Sequence, residues 1–222
     1  MLRIHDARTG QAEPVPSGPL RIRVHGPAPR THVVGDLLRR VAGRTRREVR
    51  LYCAGSSAPE RDLDELNVRP PDLGAGASAE LHVAEHGGEP PPAGAFLGVR
   101  PATGPGTVPD GLDPLSVRLA MLRVPYRDPL DLGGTVLPDA DAELRRLRGL
   151  VAGWARSPGR PMHRAYADEA TAALFDDLDV RGALAVLDRL AADPEVPDGA
   201  KLETFIHLDL LLALDLVRDI GR

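Results

Sequence analysis

Cysteine, lysine and aromatic side chains are scarce in this 222-residue chain, and each scarcity removes a class of explanation. The single cysteine, Cys53, excludes an internal disulfide and a zinc site built from several thiolates. Lys201 is the only lysine among 28 basic residues. With heavy use of Ala, Gly, Pro and Arg, this points to a GC-rich coding bias, so arginine abundance alone is no sign of phosphate binding. Aromatics make up 3 %, which leaves core packing to Leu, Val and Ala. No apolar run approaches the ~20 residues of a membrane span. The opening segment, Met1-Leu-Arg-Ile-His-Asp, has no apolar signal region, so the cytoplasm is the expected location and no membrane is expected as a partner.

The net charge of −4 is unevenly divided. Residues 1–110 carry 14 Arg against 13 Asp and Glu; residues 111–222 carry 13 Arg and Lys201 against 19 acids. Neither balance implies a general affinity for nucleic acid. Hydrophobic residues at 42 % are ordinary for a globular chain.

Residues 1–86 read as α/β. Leu20-Arg-Ile-Arg-Val24 alternates as a half-buried strand does, and His25-Gly-Pro-Ala-Pro29 forces a loop. Val33 to Val41 predicts a short helix and Arg50-Leu-Tyr-Cys-Ala54 a second strand, together one βαβ unit. Asp62 to Leu66 is expected to form one helical turn and Ser78 to His86 a short helix. Of the 25 residues 87–111, thirteen are Gly or Pro, which predicts a linker or long surface loop.

Residues 112–222 read as helical. Asp113-Pro114 is a start signal with Asp as cap and Pro in the first turn. Helices are predicted over Leu115 to Val124, Asp139 to Trp154, Met162 to Phe175, Val180 to Leu190 and Lys201 to Ile220, the last capped by Asp198. The last is apolar nearly all round, which predicts either deep burial or a protein partner or second copy packed on Lys201 to Ile220. The fold class expected is a reduced Rossmann-like N-terminal α/β domain followed by an antiparallel helical bundle.

Several segments, in order, resemble the cysteinyl-tRNA synthetases, which are class I aminoacyl-tRNA synthetases. Met1-Leu-Arg-Ile-His-Asp-Ala-Arg-Thr-Gly with Glu13-Pro14 resembles their opening strand, and Arg23-Val-His-Gly-Pro27 their next strand and Cys-Gly-Pro turn. Val33-Val-Gly-Asp-Leu-Leu-Arg-Arg40 looks like the helix after their HIGH motif, and Asp62 to Asp72 is similar to a later stretch. Gly111 to Ala120 resembles the segment after the KMSKS loop, Tyr126 to Asp131 a Tyr-Arg-x-x-Leu helix end, and Phe175-Asp-Asp-Leu-Asp179 an acidic turn.

The family uses ATP and zinc, and the departures bear on both. His25-Gly-Pro-Ala-Pro-Arg-Thr-His-Val-Val34 contains no His-x-Gly-His, as though the motif were deleted with Thr31-His32 at the join. Arg100 to Gly106, where KMSKS is expected, has no lysine. His25 replaces the first zinc cysteine, and the stretch expected to supply the other ligands is missing between Glu85 and Val99. No anticodon-binding domain is recognised within the chain. These departures imply a shortened, degenerate relative, a pseudoenzyme that needs no cofactor and serves as a binding, regulatory or partner subunit. The alternatives are a residual cysteine- and ATP-binding ligase and a small tRNA-binding module.

His25, Gly26 and His32 are the candidate ligand-binding residues, at the carboxyl edge of the predicted sheet. Arg39, Arg40, Arg44, Arg46, Arg47 and Arg50 are the candidates for phosphate or a weak tRNA contact; a solvated face is the plainer reading. No catalytic residue and no metal ligand is assigned. His82 and His86, four apart, suit a metal on a helix face, yet two solvent-facing imidazoles are the simpler expectation. Cys53 is expected as a small buried core residue with no Cys–His arrangement around it. Asp176, Asp177 and Asp179 lack the pattern of a calcium loop and are expected to cap the next helix.

Overall fold

A computed structural model describes residues 1–54, 62–73, 78–88, 93–105 and 108–222. The chain opens with a hairpin of β1 (Arg3–Asp6) and β2 (Gln11–Pro14), antiparallel, with Arg3 opposite Pro14 and Asp6 opposite Gln11. β3 (Leu20–His25) buries Leu20, Ile22 and Val24 and leaves Arg21, Arg23 and His25 half-buried, as its alternation requires. α1 (Pro29–Gly43) is longer than predicted, because Pro29 with its fixed φ begins the first turn. β4 (Val49–Ala54) then pairs parallel with β3, which completes the expected βαβ unit.

β5 (Leu81–Glu85) corrects the expected helix at Ser78 to His86. Leu81, His82 and Val83 are all buried, because this is an inner strand covered on both faces and helical spacing of its histidines has no meaning there. β6 (Ala95–Val99) and β7 (Ala102–Thr103) lie within the stretch 87–111 expected as linker or loop. Prolines flank Ala95–Val99 without interrupting it. Gly98 also sits where a Cβ would come within 3.1 Å of His86 Nδ1 and 3.2 Å of Ala7 Cβ. The four main strands run parallel in the order β4-β3-β5-β6, and β7 pairs with the short β8 (Leu130–Asp131). Asp62 to Leu66 holds a single turn, with Leu66 N–H on Leu63 O at 3.2 Å and Asn67 N–H on Asp64 O at 2.9 Å.

The second half is helical as expected: α2 (Pro114–Arg123), α3 (Val136–Trp154), α4 (Arg164–Phe175), α5 (Val180–Ala192) and α6 (Asp198–Leu212). Asp113 caps α2 by accepting the Leu115 N–H at 2.9 Å, and Asp179 caps α5 through Gly182 at the same distance. Asp198 is not the cap of α6. Pro197 holds that position and Asp198 lies in the first turn, where its charge favours the helix dipole. α6 ends at Leu212, short of Ile220, because Ala213 turns left-handed (φ +56°) and the Asp209 carboxylate takes the N–H groups of Leu214 and Leu216. The segment after Ala213 buries Leu214 and Leu216, so the all-round apolar character belongs to a helix and a separate tail rather than to one long helix.

α1 sits between the sheet and the bundle, which is why nearly all its residues are buried, Asp36 and Arg40 included. Asp36 accepts from Arg40 at 2.7 Å and from the fully buried Arg118 of α2 at 2.9 Å. Arg118 also donates to Leu212 O and Leu66 O, at 2.7 and 2.9 Å. Among the described residues, no helix is long and apolar enough to cross a membrane.

Candidate functional site

The strand order reverses between β3 and β5: the chain leaves β3 for β4 on one side and returns to β5 on the other. In open parallel sheets, ligands bind outside the carboxyl ends of the strands at such a point. His25 ends β3 there with Gly26 just beyond it, Cys53 is the next-to-last residue of β4, and His32 stands in the first turns of α1. Gly26 takes φ +80°, which releases its carbonyl toward the helix and which a side chain would resist.

The structure places the three candidate ligand residues in two separate contacts. His25 Nε2 meets His82 Nδ1 at 2.8 Å, so one ring donates and the other accepts. His82 is therefore buried against β3, where two solvent-facing imidazoles were expected, and only His86 is exposed. Burial pushes both His25 and His82 below the ordinary imidazole value, with Arg23 adding repulsion to each and His25 and Arg8 adding to that on His82. His32 Nε2 lies 3.0 Å from Gly26 O, a bond that belongs to the second contact.

Cys53 corrects its expectation. It is exposed, and its Sγ lies 4.0 Å from His32 Nδ1. Residues 21 positions apart meet because a βαβ unit sets the end of its second strand beside the start of its helix; the predicted topology carried that signal unread. Partial desolvation by its neighbours raises the thiol even though it meets solvent, partly offset by Arg39, and burial lowers His32.

At the start of α1 lies a cavity of about 330 Å³ whose lining includes Ala28, Pro29, Arg30, Glu85 and Thr103. Arg30 is 1 % exposed and donates to four carbonyls: Arg100 and Asp128 from one nitrogen, Val124 and Pro125 from the other, at 2.7–3.0 Å. Burial lowers its guanidinium to about 10. Arg30 thereby fastens the segments on either side of α2 to the start of α1, where a nucleotide phosphate sits in open α/β folds. Nothing in the sequence singled it out.

The six arginines of the expected phosphate patch are largely engaged within the fold. Arg39 donates to Pro70 O at 3.0 Å, Arg40 is buried on Asp36, and Arg44 donates to His207 Nε2 at 2.8 Å. Arg47 donates to Pro16 O at 2.6 Å and Arg50 pairs with Glu48 at 2.7 Å, while Arg46 is exposed. The zinc implied by the resemblance does not fit the residues present. Among the described residues no group of three or more His, Cys, Asp or Glu is placed for a metal, and His25 Nε2 faces another imidazole.

No family model matches the chain. Curated relatives do. The cysteine–tRNA ligase of Paracoccus denitrificans is 37 % identical over 97 residues, 42 % of this chain and 20 % of the relative. The L-cysteine:1D-myo-inositol 2-amino-2-deoxy-alpha-D-glucopyranoside ligase of Thermomonospora curvata is 42 % identical over 112 residues, 48 % of this chain and 26 % of the relative. The enzyme of the same name from Streptomyces griseus is 40 % identical over 83 residues, 37 % and 19 % of the respective chains. The chain therefore spans between about a fifth and a quarter of the length of these relatives. Its homologues are cysteine ligases of the class I aminoacyl-tRNA synthetase type, as the ordered motifs imply.

Proposed function

We propose that this homologue of the cysteine ligases is a binding or partner module that does not itself form an adenylate. The observation that carries the reading is Arg30. Its four Nη–H contacts go to carbonyls of the segments flanking α2, whereas an adenylate-forming site at a helix start needs donors left free for phosphate. The missing His-x-Gly-His and the absence of lysine from residues 100–106 support it, since transition-state charge on the phosphate needs preorganised cations. Leu210, Val217 and Ile220, 55, 39 and 40 % exposed, are where the partner surface expected near Lys201 to Ile220 would lie.

One observation favours a second reading, retained binding of cysteine or a nucleotide: the 330 Å³ cavity at the sheet edge. A thermal-shift screen with cysteine, ATP, a cysteinyl-adenylate mimic, zinc and tRNA separates the two. A ligand at about 100 times its dissociation constant stabilises the fold by roughly 2.7 kcal/mol. Cysteine-dependent ATP–pyrophosphate exchange overturns the first reading; stabilisation by cysteine or ATP without exchange supports the second.

A further inference from the structure

We propose that Cys53 is a nucleophilic thiol, activated by His32, that accepts an acyl group from an activated acyl donor such as a thioester. The inference goes beyond the module reading and does not depend on it. Its basis is the geometry of three groups. A carbonyl oxygen only accepts, so the 3.0 Å contact between His32 Nε2 and Gly26 O fixes the proton on Nε2. Nδ1 is then bare, and it is the atom 4.0 Å from Cys53 Sγ. Nucleophile, base and orienting acceptor stand in the order that covalent catalysis uses, with a backbone carbonyl as the third member. Such contacts are often long without substrate and tighten when it binds. His32 is 6 % exposed, so its ring is held, while Cys53 is open to solvent.

The surroundings select the electrophile. His32 belongs to the amino-terminal turns of α1, a 15-residue helix whose N-cap, Ala28, provides no side-chain acceptor. The positive end of the helix and its uncapped amides favour oxygen that gains negative charge during reaction, as an acyl carbonyl does. In the same turn Thr31 Oγ1 is fully buried with no hydrogen-bond partner, one more polar group able to turn toward a ligand. The shifts described above keep the resting pair neutral, thiol beside imidazole, so the proton moves during attack. In the step, Cys53 Sγ forms a bond to the acyl carbon and its proton passes to His32 Nδ1. The carbon–sulfur bond of the donor breaks, and the leaving thiolate takes that proton. No oxidant, metal or nucleotide is consumed.

The full chain incubated with p-nitrophenyl acetate tests this. Competing amines are few, since the only lysine, Lys201, donates to Ala191 O at 2.9 Å. The expected result is a burst of one equivalent of p-nitrophenolate with one acetyl group on the peptide carrying Cys53. Cys53→Ser abolishes it, and His32→Gln slows it about tenfold or more. Acetylation of Cys53 no faster than that of a free N-acetylcysteine amide, or a folded H32Q variant with an unchanged rate, overturns the proposal. Should H32Q fail to fold, the pH profile of the unmodified protein decides. A rate that follows an ionisation in the imidazole range supports the proposal, and one that follows only ionisation of the thiol overturns it.

Discussion

At the scale of single residues, the buried charges are the points where the fold is most committed. Asp36 is 0 % exposed, and its cost of desolvation is offset by Arg118 and Arg40, which hold its carboxyl below the ordinary carboxylate value. Arg118→Met removes one partner of Asp36 and orphans the carbonyls of Leu66 and Leu212. Loss of about 3–5 kcal/mol is expected in urea or guanidinium unfolding; a loss below 1 kcal/mol would show that Arg40 alone suffices. The imidazole pair makes a second prediction. Folded His25 and His82 sit below 6.5, so the folded state binds fewer protons than the unfolded one. Their contribution is intact above pH 6.5 and is lost as the pH falls through 6.5 toward the folded values. Arg8 and Arg23 face the pair and sharpen the loss. The expected observation is a melting temperature that drops between pH 7.5 and 5 more steeply in the unmodified protein than in His82→Gln.

At the scale of elements, Gly35 sets packing against propensity. On helix propensity alone, Gly35→Ala in α1 should stabilise by roughly 1 kcal/mol. Its Cβ, however, would stand 2.7 Å from Val24 Cγ2 on β3, a stiff and buried side chain with no room to yield. Overpacking of this kind costs about 1–3 kcal/mol, so the net effect is destabilising, measurable as a lower urea midpoint at unchanged slope. The same contrast explains what the sequence made legible. β3, α1 and the capped α2 were readable because alternation, periodicity and an Asp-Pro start are local signals. β5 was not, since an inner strand buries successive residues on both faces and so lacks alternation, and His82 in it and His86 just beyond it happen to stand four apart. The end of α6 at Leu212 was hidden for another reason: a left-handed alanine held by Asp209 has no mark in hydrophobic pattern. In the site, His25, Gly26 and His32 were legible as the edge of a sheet, but their partners were not. His82 and Cys53 reach them only across strand pairs that depend on topology.

At the scale of the molecule, the expected division into an α/β unit and a helical unit meets a core that does not respect it. Buried side chains from Leu2 to Leu216 form one hydrophobic cluster, with α1 packed between sheet and bundle. Polar ties run the same way. Arg40 of α1 and Arg118 of α2 both reach carbonyls at the end of α6, Leu210 O at 3.3 Å and Leu212 O at 2.7 Å. Asn67 donates to Ala213 O at 3.1 Å, and Arg30 binds both ends of the segment around α2. A unit whose buried charges are satisfied in part by the other unit gains little by folding first, because Arg118 and the carbonyls it binds would lose their partners. The two halves should therefore unfold together. Trp154, the only tryptophan, stacks edge-on with Phe205 at 5.0 Å and reports the bundle; amide hydrogen exchange in β3 and β5 reports the sheet. Coincident urea midpoints from the two probes are expected, as two-state behaviour requires. A sheet that exchanges freely while Trp154 fluorescence remains native would mean that the arginine ties are too weak to join the halves.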